Sequence, residues 1–78
     1  MNERNICIGV MYRHFKGNLY KTLAVATHTE TGEEMVVYEA LYGDHKIWTR
    51  PLSMFLEDVT RDGITRPRFE LVEVSHRA

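Results

Sequence analysis

The stretch MVVYEALY, residues 35–42, is apolar at nearly every position and lies between two segments rich in turn-forming residues. Its short length, its β-branched and aromatic content and the nearby Gly32 and Gly43 are typical of a strand rather than a helix. A strand that is apolar on both faces belongs inside a sheet. We therefore predict a central β-strand here, and we expect the neighbouring segments to pair with it.

The segments on either side of this strand also alternate in character. Residues 29–33 predict a tight hairpin in which Gly32 takes a positive φ, and residues 20–28 predict the preceding strand. Residues 43–45 predict the next turn. A short strand is expected over 46–50, ended by the proline that follows it.

The two ends of the chain supply further strands. Residues 6–12 alternate so that every second side chain is apolar, and residues 69–74 predict a final strand, with 75–78 expected to fray. Residues 52–59 are ambiguous, and we interpret them as one short helical or 3₁₀ turn that Ser53 could cap. Residues 61–67 are predicted to form a loop.

Five strands in a chain of 78 residues predict a mainly β fold, namely a small five-stranded antiparallel SH3-like barrel or roll with one short helical or 3₁₀ turn. A chain of this length supports one core, so we expect a single domain over residues 1–78 with the barrel at about 6–74. Interiors of such barrels fill with side chains and leave little room for a ligand-sized pocket.

The composition excludes several classes of protein. The chain is 44% hydrophobic and 27% charged with a formal net charge of -1, which is ordinary for a globular domain and does not predict a polyanion partner. No apolar run is long enough to cross a bilayer, and residues 1–5 do not resemble the start of a secretory signal. Cys7 is the only cysteine, so we expect a small buried hydrophobe there and a cytoplasmic protein.

Several motifs resemble a bacterial family called domain of unknown function 1653. The resemblance rests on YRHFKG at 12–17 with Tyr20, on ATHTET at 26–31, on VVY at 36–38, on LYG at 41–43, on WTRPLSMF at 48–55 and on PRF at 67–69. Thr29 and Thr49 depart from the usual pattern, where Ser and Val are more frequent. The resemblance implies a small SH3-type barrel of bacterial or phage origin, and it implies no activity and no catalytic residue.

We predict a binding face from aromatic and basic residues that alternate with apolar ones. Its members are Tyr12, Arg13, His14, Lys16, Trp48, Arg50 and Arg68. Because Trp48 lies between Lys46 and Arg50, we expect its ring to be partly exposed, with an arginine stacked over it. The predicted function is a non-enzymatic binding or interaction module with a protein or peptide partner.

The alternative hypothesis is a barrel that binds RNA or another single-stranded nucleic acid, with Tyr12 and Trp48 as stacking platforms. This would require the acidic residues to lie away from the basic ones. A further set of residues could form an aromatic groove for Pro-rich peptides, as in SH3-like folds. The opposing interpretation is that most of the set simply forms core, with Trp48 as the exception. The set consists of Tyr38, Tyr42, Trp48, Met54 and Phe55.

Catalysis finds little support in the sequence. His28 and Glu30 could ligate a metal or transfer protons in a metal- or small-molecule-dependent enzyme, but their spacing matches no metal motif, and a histidine that hydrogen-bonds a turn explains them equally well. We predict no catalytic, cofactor-binding or metal-binding residue, no cofactor and no membrane partner. An exposed edge strand would allow self-association.

Overall fold

The structure is a computed structural model that describes residues 6–72. The strands are, in chain order, β1 Met11–His14, β2 Leu19–Thr27, β3 Glu34–Ala40, β4 Ile47–Pro51, β5 Asp58–Arg61, β6 Ile64–Pro67 and β7 Phe69–Leu71, and one helical turn, α1 Leu52–Phe55, follows β4. Within this part of the chain no helix has the length and apolar character needed to cross a membrane.

The strands form one antiparallel sheet of five and a separate ribbon of two. The order in the large sheet is β4-β3-β2-β1-β7, with β3 inside it as predicted, and β5 pairs only with β6. The mainly β composition, the antiparallel pairing and the single short helical turn are therefore confirmed. Within residues 6–72, β4 and β7 end the sheet without pairing to each other, so the predicted closure into a hydrogen-bonded barrel is absent.

Aromatic side chains pack between the two edge regions of the sheet. Phe55 of α1 stacks on Phe69 of β7, with ring centroids 4.0 Å apart and planes within 3°. Tyr38 of β3 meets both rings edge-on, at 5.5 Å and 5.7 Å. The buried cluster consists of Tyr12, Val36, Tyr38, Leu52, Phe55 and Phe69. Burying side chains of this kind contributes about 1.5–3 kcal/mol each, so this cluster stabilises the fold across the open edge.

An irregularity in β2 helps the sheet bend around this core. The pairing of β2 with β3 shifts between Thr22 and Ala24, which leaves Leu23 as an extra residue. Such a bulge increases the twist and bend of a strand. Thr22 beside it is fully buried, and its hydroxyl donates a 2.7 Å hydrogen bond to the carbonyl of Cys7.

The first strand begins later than predicted. It starts at Met11 rather than at residue 6, because Gly9 adopts a φ of 83° that a strand does not allow, and its N–H bonds the Thr22 carbonyl at 2.8 Å. Cys7 lies in this irregular segment and is exposed, so its predicted burial is wrong.

The region expected to be a loop forms the β5–β6 hairpin instead. Asp62 and Gly63 occupy its turn with φ values of 55° and 76°, which is the left-handed pair that a two-residue hairpin turn requires. Residues 58–59 accordingly belong to a strand and not to the helical turn. The predicted hairpin turn at Gly32, with a φ of 77°, is confirmed.

The helical turn and the last strand are shorter than expected. Helix α1 starts after Pro51 with no side-chain cap, so Ser53 does not cap it. Strand β7 ends at Leu71, and the predicted continuation over 73–74 and the tail at 75–78 lie outside the described residues.

Candidate binding face at the β4 edge

The outer edge of β4 presents free backbone groups. The Ala40 N–H donates to the Lys46 carbonyl at 2.9 Å, and the register continues with Trp48 opposite Tyr38. Because hydrogen-bonded and non-hydrogen-bonded pairs alternate in an antiparallel ladder, the N–H and C=O groups of Ile47 and Thr49 point away from β3. Among residues 6–72 no strand pairs with this side of β4.

Trp48 stands on this edge with 50% of its surface exposed, which confirms the predicted partial exposure. Its cross-strand neighbour is the buried Tyr38. The indole lines an open cavity of about 150 Å³ with Ala40, Tyr42, Gly43, Asp44 and Lys46. An exposed aromatic ring next to a shallow cavity and a cation can accept a flat or apolar ligand group.

Arg50, two residues further along β4, is held in a fixed orientation. Its Nε donates to the Tyr38 hydroxyl at 3.3 Å, and its guanidinium carbon lies 5.5 Å from the centre of the Phe69 ring. The predicted arginine stacking therefore occurs on Phe69 and not on Trp48. Since Phe69 belongs to β7, Arg50 reaches from one edge of the sheet to the other.

His14 lies at the centre of the basic residues. Its ring packs against Phe15 at 4.5 Å and against Phe69 at 4.9 Å. Burial lowers the pKa of His14 below its usual value of 6.5, and the positive charges of Arg50, Arg68 and Lys16 lower it further. Three cations acting on one imidazole create a positive potential at this site.

Arg68 and Lys16 complete this group. Arg68 forms a 3.2 Å salt bridge with Glu57, while its Nε is buried without a hydrogen-bond partner among the described residues. The Lys16 ammonium lies 5.8 Å from the centre of the Phe15 ring. The structure therefore brings His14 together with three of the predicted basic residues, and Trp48 adjoins them along β4.

Two residues of the predicted face lie elsewhere. Tyr12 is only 4% exposed, because its ring packs in the core, and its hydroxyl accepts a 3.0 Å hydrogen bond from the Cys7 N–H. Burial raises the pKa of Tyr12. Arg13 is exposed on the other side of the sheet, opposite Leu19 and Glu70. Successive residues of a strand point to opposite faces, so Tyr12 and Arg13 cannot share one surface.

Tyr42 lies beside Trp48 in the cavity lining and Tyr20 bonds to it, although neither was among the residues predicted for the face. Their hydroxyls are 2.8 Å apart, and burial together with this hydrogen bond raises the pKa of Tyr20 to about 12. Tyr42 is 44% exposed and Met54 is 45% exposed, so the interpretation of the aromatic set as core holds for Tyr38 and Phe55 but not for these two residues. Side chains two residues apart on a strand lie on the same face, so the spacing of Tyr42 from Ala40 was the sequence signal for the position of Tyr42.

The surroundings of His28 are those of a turn. The Glu30 N–H donates to His28 Nδ1 at 3.1 Å, and the His28 N–H donates to the Glu33 carbonyl at 2.8 Å. In residues 6–72 no group of three or more His, Cys, Asp or Glu side chains is placed to hold a metal ion. Both contacts of His28 stabilise the β2–β3 connection.

Comparison with known proteins identifies the family. The profile described as Protein of unknown function (DUF1653) matches residues 10–71. The chain belongs to this family. A crystal structure of a DUF1653 protein from Bordetella bronchiseptica is 34% identical, superposes with a TM-score of 0.80, and the match covers 95% of this chain and 96% of that one. No curated protein matches the chain. The family resemblance seen in the sequence is thus confirmed.

Proposed function

We propose that this domain is a non-enzymatic binding module that captures an extended acidic peptide of a protein partner along the free edge of β4. The observation that carries the proposal is an edge strand whose outward N–H and C=O groups at Ile47 and Thr49 flank the half-exposed Trp48. Peptides that add a strand to such an edge gain affinity from backbone hydrogen bonds and specificity from side-chain pockets. The cavity beside Trp48 provides one such pocket.

The charges around this edge favour an acidic ligand. Lys46 and Arg50 flank Trp48 on either side, and within residues 6–72 Asp44 is the only carboxylate that lines the adjoining cavity. Arg68 and Lys16 add to the positive potential at His14. Complementary charges of this kind raise association rates and exclude basic partners.

We further propose that the fold is an SH3-like barrel closed by side chains rather than by a ladder. In support, the guanidinium carbon of Arg50 from β4 lies 5.5 Å from the centre of the Phe69 ring of β7, and this ring stacks on Phe55. The two ends of the sheet thereby share one core.

The proposal can be tested with a random peptide display library and the protein's only tryptophan. Selected peptides should be rich in Asp and Glu alternating with β-branched or aromatic residues. A synthetic peptide of the selected sequence should shift the fluorescence of Trp48 on titration. Trp48→Ala should abolish capture of the same peptide on an immobilised surface, while circular dichroism shows an unchanged fold.

Position 49 offers a matched pair of variants for the backbone contact. Thr49→Pro removes the outward N–H, and proline is tolerated on edge strands where that group faces solvent. Thr49→Ala keeps the N–H. We expect the proline variant to bind the peptide about tenfold more weakly and the alanine variant to bind within about twofold of the parent, given that a hydrogen bond contributes about 1 kcal/mol or more. Equal binding by both variants would rule out strand addition.

A single-stranded nucleic acid is the second candidate ligand. The favouring observation is that Tyr42 and Trp48 are both half exposed next to Lys46 and Arg50, as in stacking platforms lined with cations. Single-stranded oligonucleotides would then quench Trp48 at low salt, with an affinity that falls steeply as salt rises. Absence of quenching at low salt would eliminate this candidate.

We place the domain in the bacterial cytoplasm. The similar crystal structure comes from Bordetella bronchiseptica, and a lone cysteine fits a reducing compartment.

The edge of β4 also provides a surface for a second copy of the chain. Sedimentation of the protein alone and with the selected peptide distinguishes the two occupants, since a dimer through β4 would dissociate when the peptide binds.

A further inference from the structure

A second cavity, of about 200 Å³, lies between the β5–β6 ribbon and the β1–β2 turn. Its lining residues are Phe15, Val59, Arg61, Asp62, Ile64 and Arg66. None of them lines the cavity beside Trp48, so an inference drawn from this cavity does not depend on the proposed peptide edge.

The register of the ribbon explains this lining. Val59 pairs with Arg66, and Arg61 pairs with Ile64. Cross-strand partners share a face, and residues two apart on one strand share it too, so all four side chains lie on the same side of the ribbon. The opposite side carries the cross-strand pair Thr60 and Thr65, whose hydroxyls are 2.8 Å apart.

The ribbon face of the cavity therefore combines two cationic and two apolar side chains. Arg61 and Arg66 are diagonal neighbours on the ribbon face, and neither forms a salt bridge with a carboxylate of the described residues. Val59 and Ile64 are the apolar members of this face, Ile64 is 55% exposed, and Phe15 of the β1–β2 turn completes the lining.

Phe15 is held in place from several sides. Its N–H donates to the Arg68 carbonyl at 2.9 Å, which ties the β1–β2 turn to the segment before β7. The Arg61 guanidinium carbon lies 5.5 Å from the centre of its ring, and the Lys16 ammonium lies at 5.8 Å. A guanidinium held over a ring keeps its N–H donors free for an oxyanion.

We propose that this cavity binds a phosphate monoester whose organic part is planar or apolar. Among the described residues that line the cavity, Arg61 and Arg66 are opposed by one carboxylate, that of Asp62, which leaves a local charge of two minus one, or +1. The Lys16 ammonium, 5.8 Å from the centre of the Phe15 ring, is a further cation near the cavity. A phosphate monoester carries a charge of about -1.5 to -2 at neutral pH and offers three acceptor oxygens to two arginine forks. The ring or alkyl group would contact Phe15 and Ile64.

Phenyl phosphate is the probe for this site, and NMR titration of the full chain is the assay. We expect saturable shifts at the backbone amides of Arg61, Arg66 and Phe15. Arg61→Gln and Arg66→Gln should each weaken binding about tenfold or more, because a hydrogen bond to a charged group contributes about 1.5–3 kcal/mol. Arg13→Gln is the matched control, since Arg13 is an exposed arginine of the large sheet, and it should bind as the parent does.

Four comparison compounds define the ligand. Phenol lacks the phosphate and inorganic phosphate lacks the ring, so each should bind at least about tenfold more weakly than phenyl phosphate. Adenosine monophosphate and phosphotyrosine, titrated separately, distinguish a nucleotide from an aryl phosphate as the source of the group. Trp48→Ala should leave phenyl phosphate binding unchanged, which separates this site from the peptide edge.

Several results would overturn the proposal. They are a dissociation constant for phenyl phosphate weaker than about 10 mM, shifts that map away from the ribbon, or arginine variants that titrate like the parent. Inorganic phosphate that binds as tightly as phenyl phosphate would overturn the assignment of an organic ester.

Discussion

Replacing Phe55 with alanine should destabilise the domain more than almost any other single truncation. Phe55 is fully buried, with 0% of its surface exposed, and its ring stacks on Phe69 at 4.0 Å. It also meets Tyr12 edge-on at 5.3 Å and Tyr38 at 5.5 Å. Phe55→Ala would remove all three ring contacts at the point where α1 and β7 are joined.

The size of the effect follows from these contacts. Truncation of a buried phenylalanine to alanine costs about 3–5 kcal/mol of unfolding free energy, from lost burial and from the cavity that remains. A domain of this length has a total stability of about 4–12 kcal/mol. The variant should therefore melt roughly 12–40 °C lower than the parent, or be partly unfolded at room temperature.

Met54→Ala is the matched control because Met54 lies in the same helical turn and is 45% exposed. Its loss should stay within about 1 kcal/mol. Urea unfolding followed by far-ultraviolet circular dichroism, with linear extrapolation to water, compares the two variants. If Phe55→Ala cost no more than Met54→Ala, the inference that the aromatic cluster holds the open sheet together would be wrong.

Three further predictions concern His14, Gly63 and Thr22. The pKa of His14 is lower in the folded state than its usual value of 6.5, so the unfolded chain binds the proton more readily and the stability of the fold should decrease as the pH drops below 6.5. His14→Gln should make the urea midpoint less dependent on pH in this range. An unchanged pH dependence in the variant would contradict the surroundings assigned to His14. Gly63→Ala should cost about 1–2 kcal/mol in urea unfolding, because the φ of 76° is strained for alanine while no heavy atom lies within 4 Å of the added carbon, and a much larger loss would indicate a clash. Thr22→Val should cost about 1–3 kcal/mol of unfolding free energy, because it leaves the Cys7 carbonyl without its hydroxyl donor. Thr27→Val, at an exposed position of the same strand, should change the unfolding free energy by less than about 0.5 kcal/mol. Equal losses in the two variants would argue against a role for the buried hydroxyl of Thr22.

Local sequence patterns predicted most of the strands. The alternation and turn residues around 35–42 correctly indicated β2, β3 and β4 and the hairpin at Gly32. The β5–β6 ribbon was missed although Asp62-Gly63 is a strong hairpin signal. Its second strand, Ile64–Pro67, is exposed throughout, so no alternation of apolar and polar residues marks it.

The candidate face was predictable only in part. Trp48 was recognised because cations on both sides of an aromatic residue indicate a surface position. Tyr12 and Arg13 were both assigned to that face, yet the period of two along a strand excludes one of them. The meeting of His14 with Arg50 and Arg68 has no local signal, because it depends on β7 pairing with β1 while Arg50 reaches across from β4.

The sequence by itself determined a mainly β chain of the DUF1653 family with an inner strand around 35–42 and a surface tryptophan, because alternation, turn residues and family motifs are encoded in neighbouring residues. Only the tertiary structure decided that the sheet stays open and that Arg50 and Phe69 connect its two ends. The tertiary structure also decided that Arg50, Arg68 and Lys16 lie near His14 in a chain whose net charge is -1. These outcomes depend on strand order and on contacts between distant segments, and no local pattern specifies them.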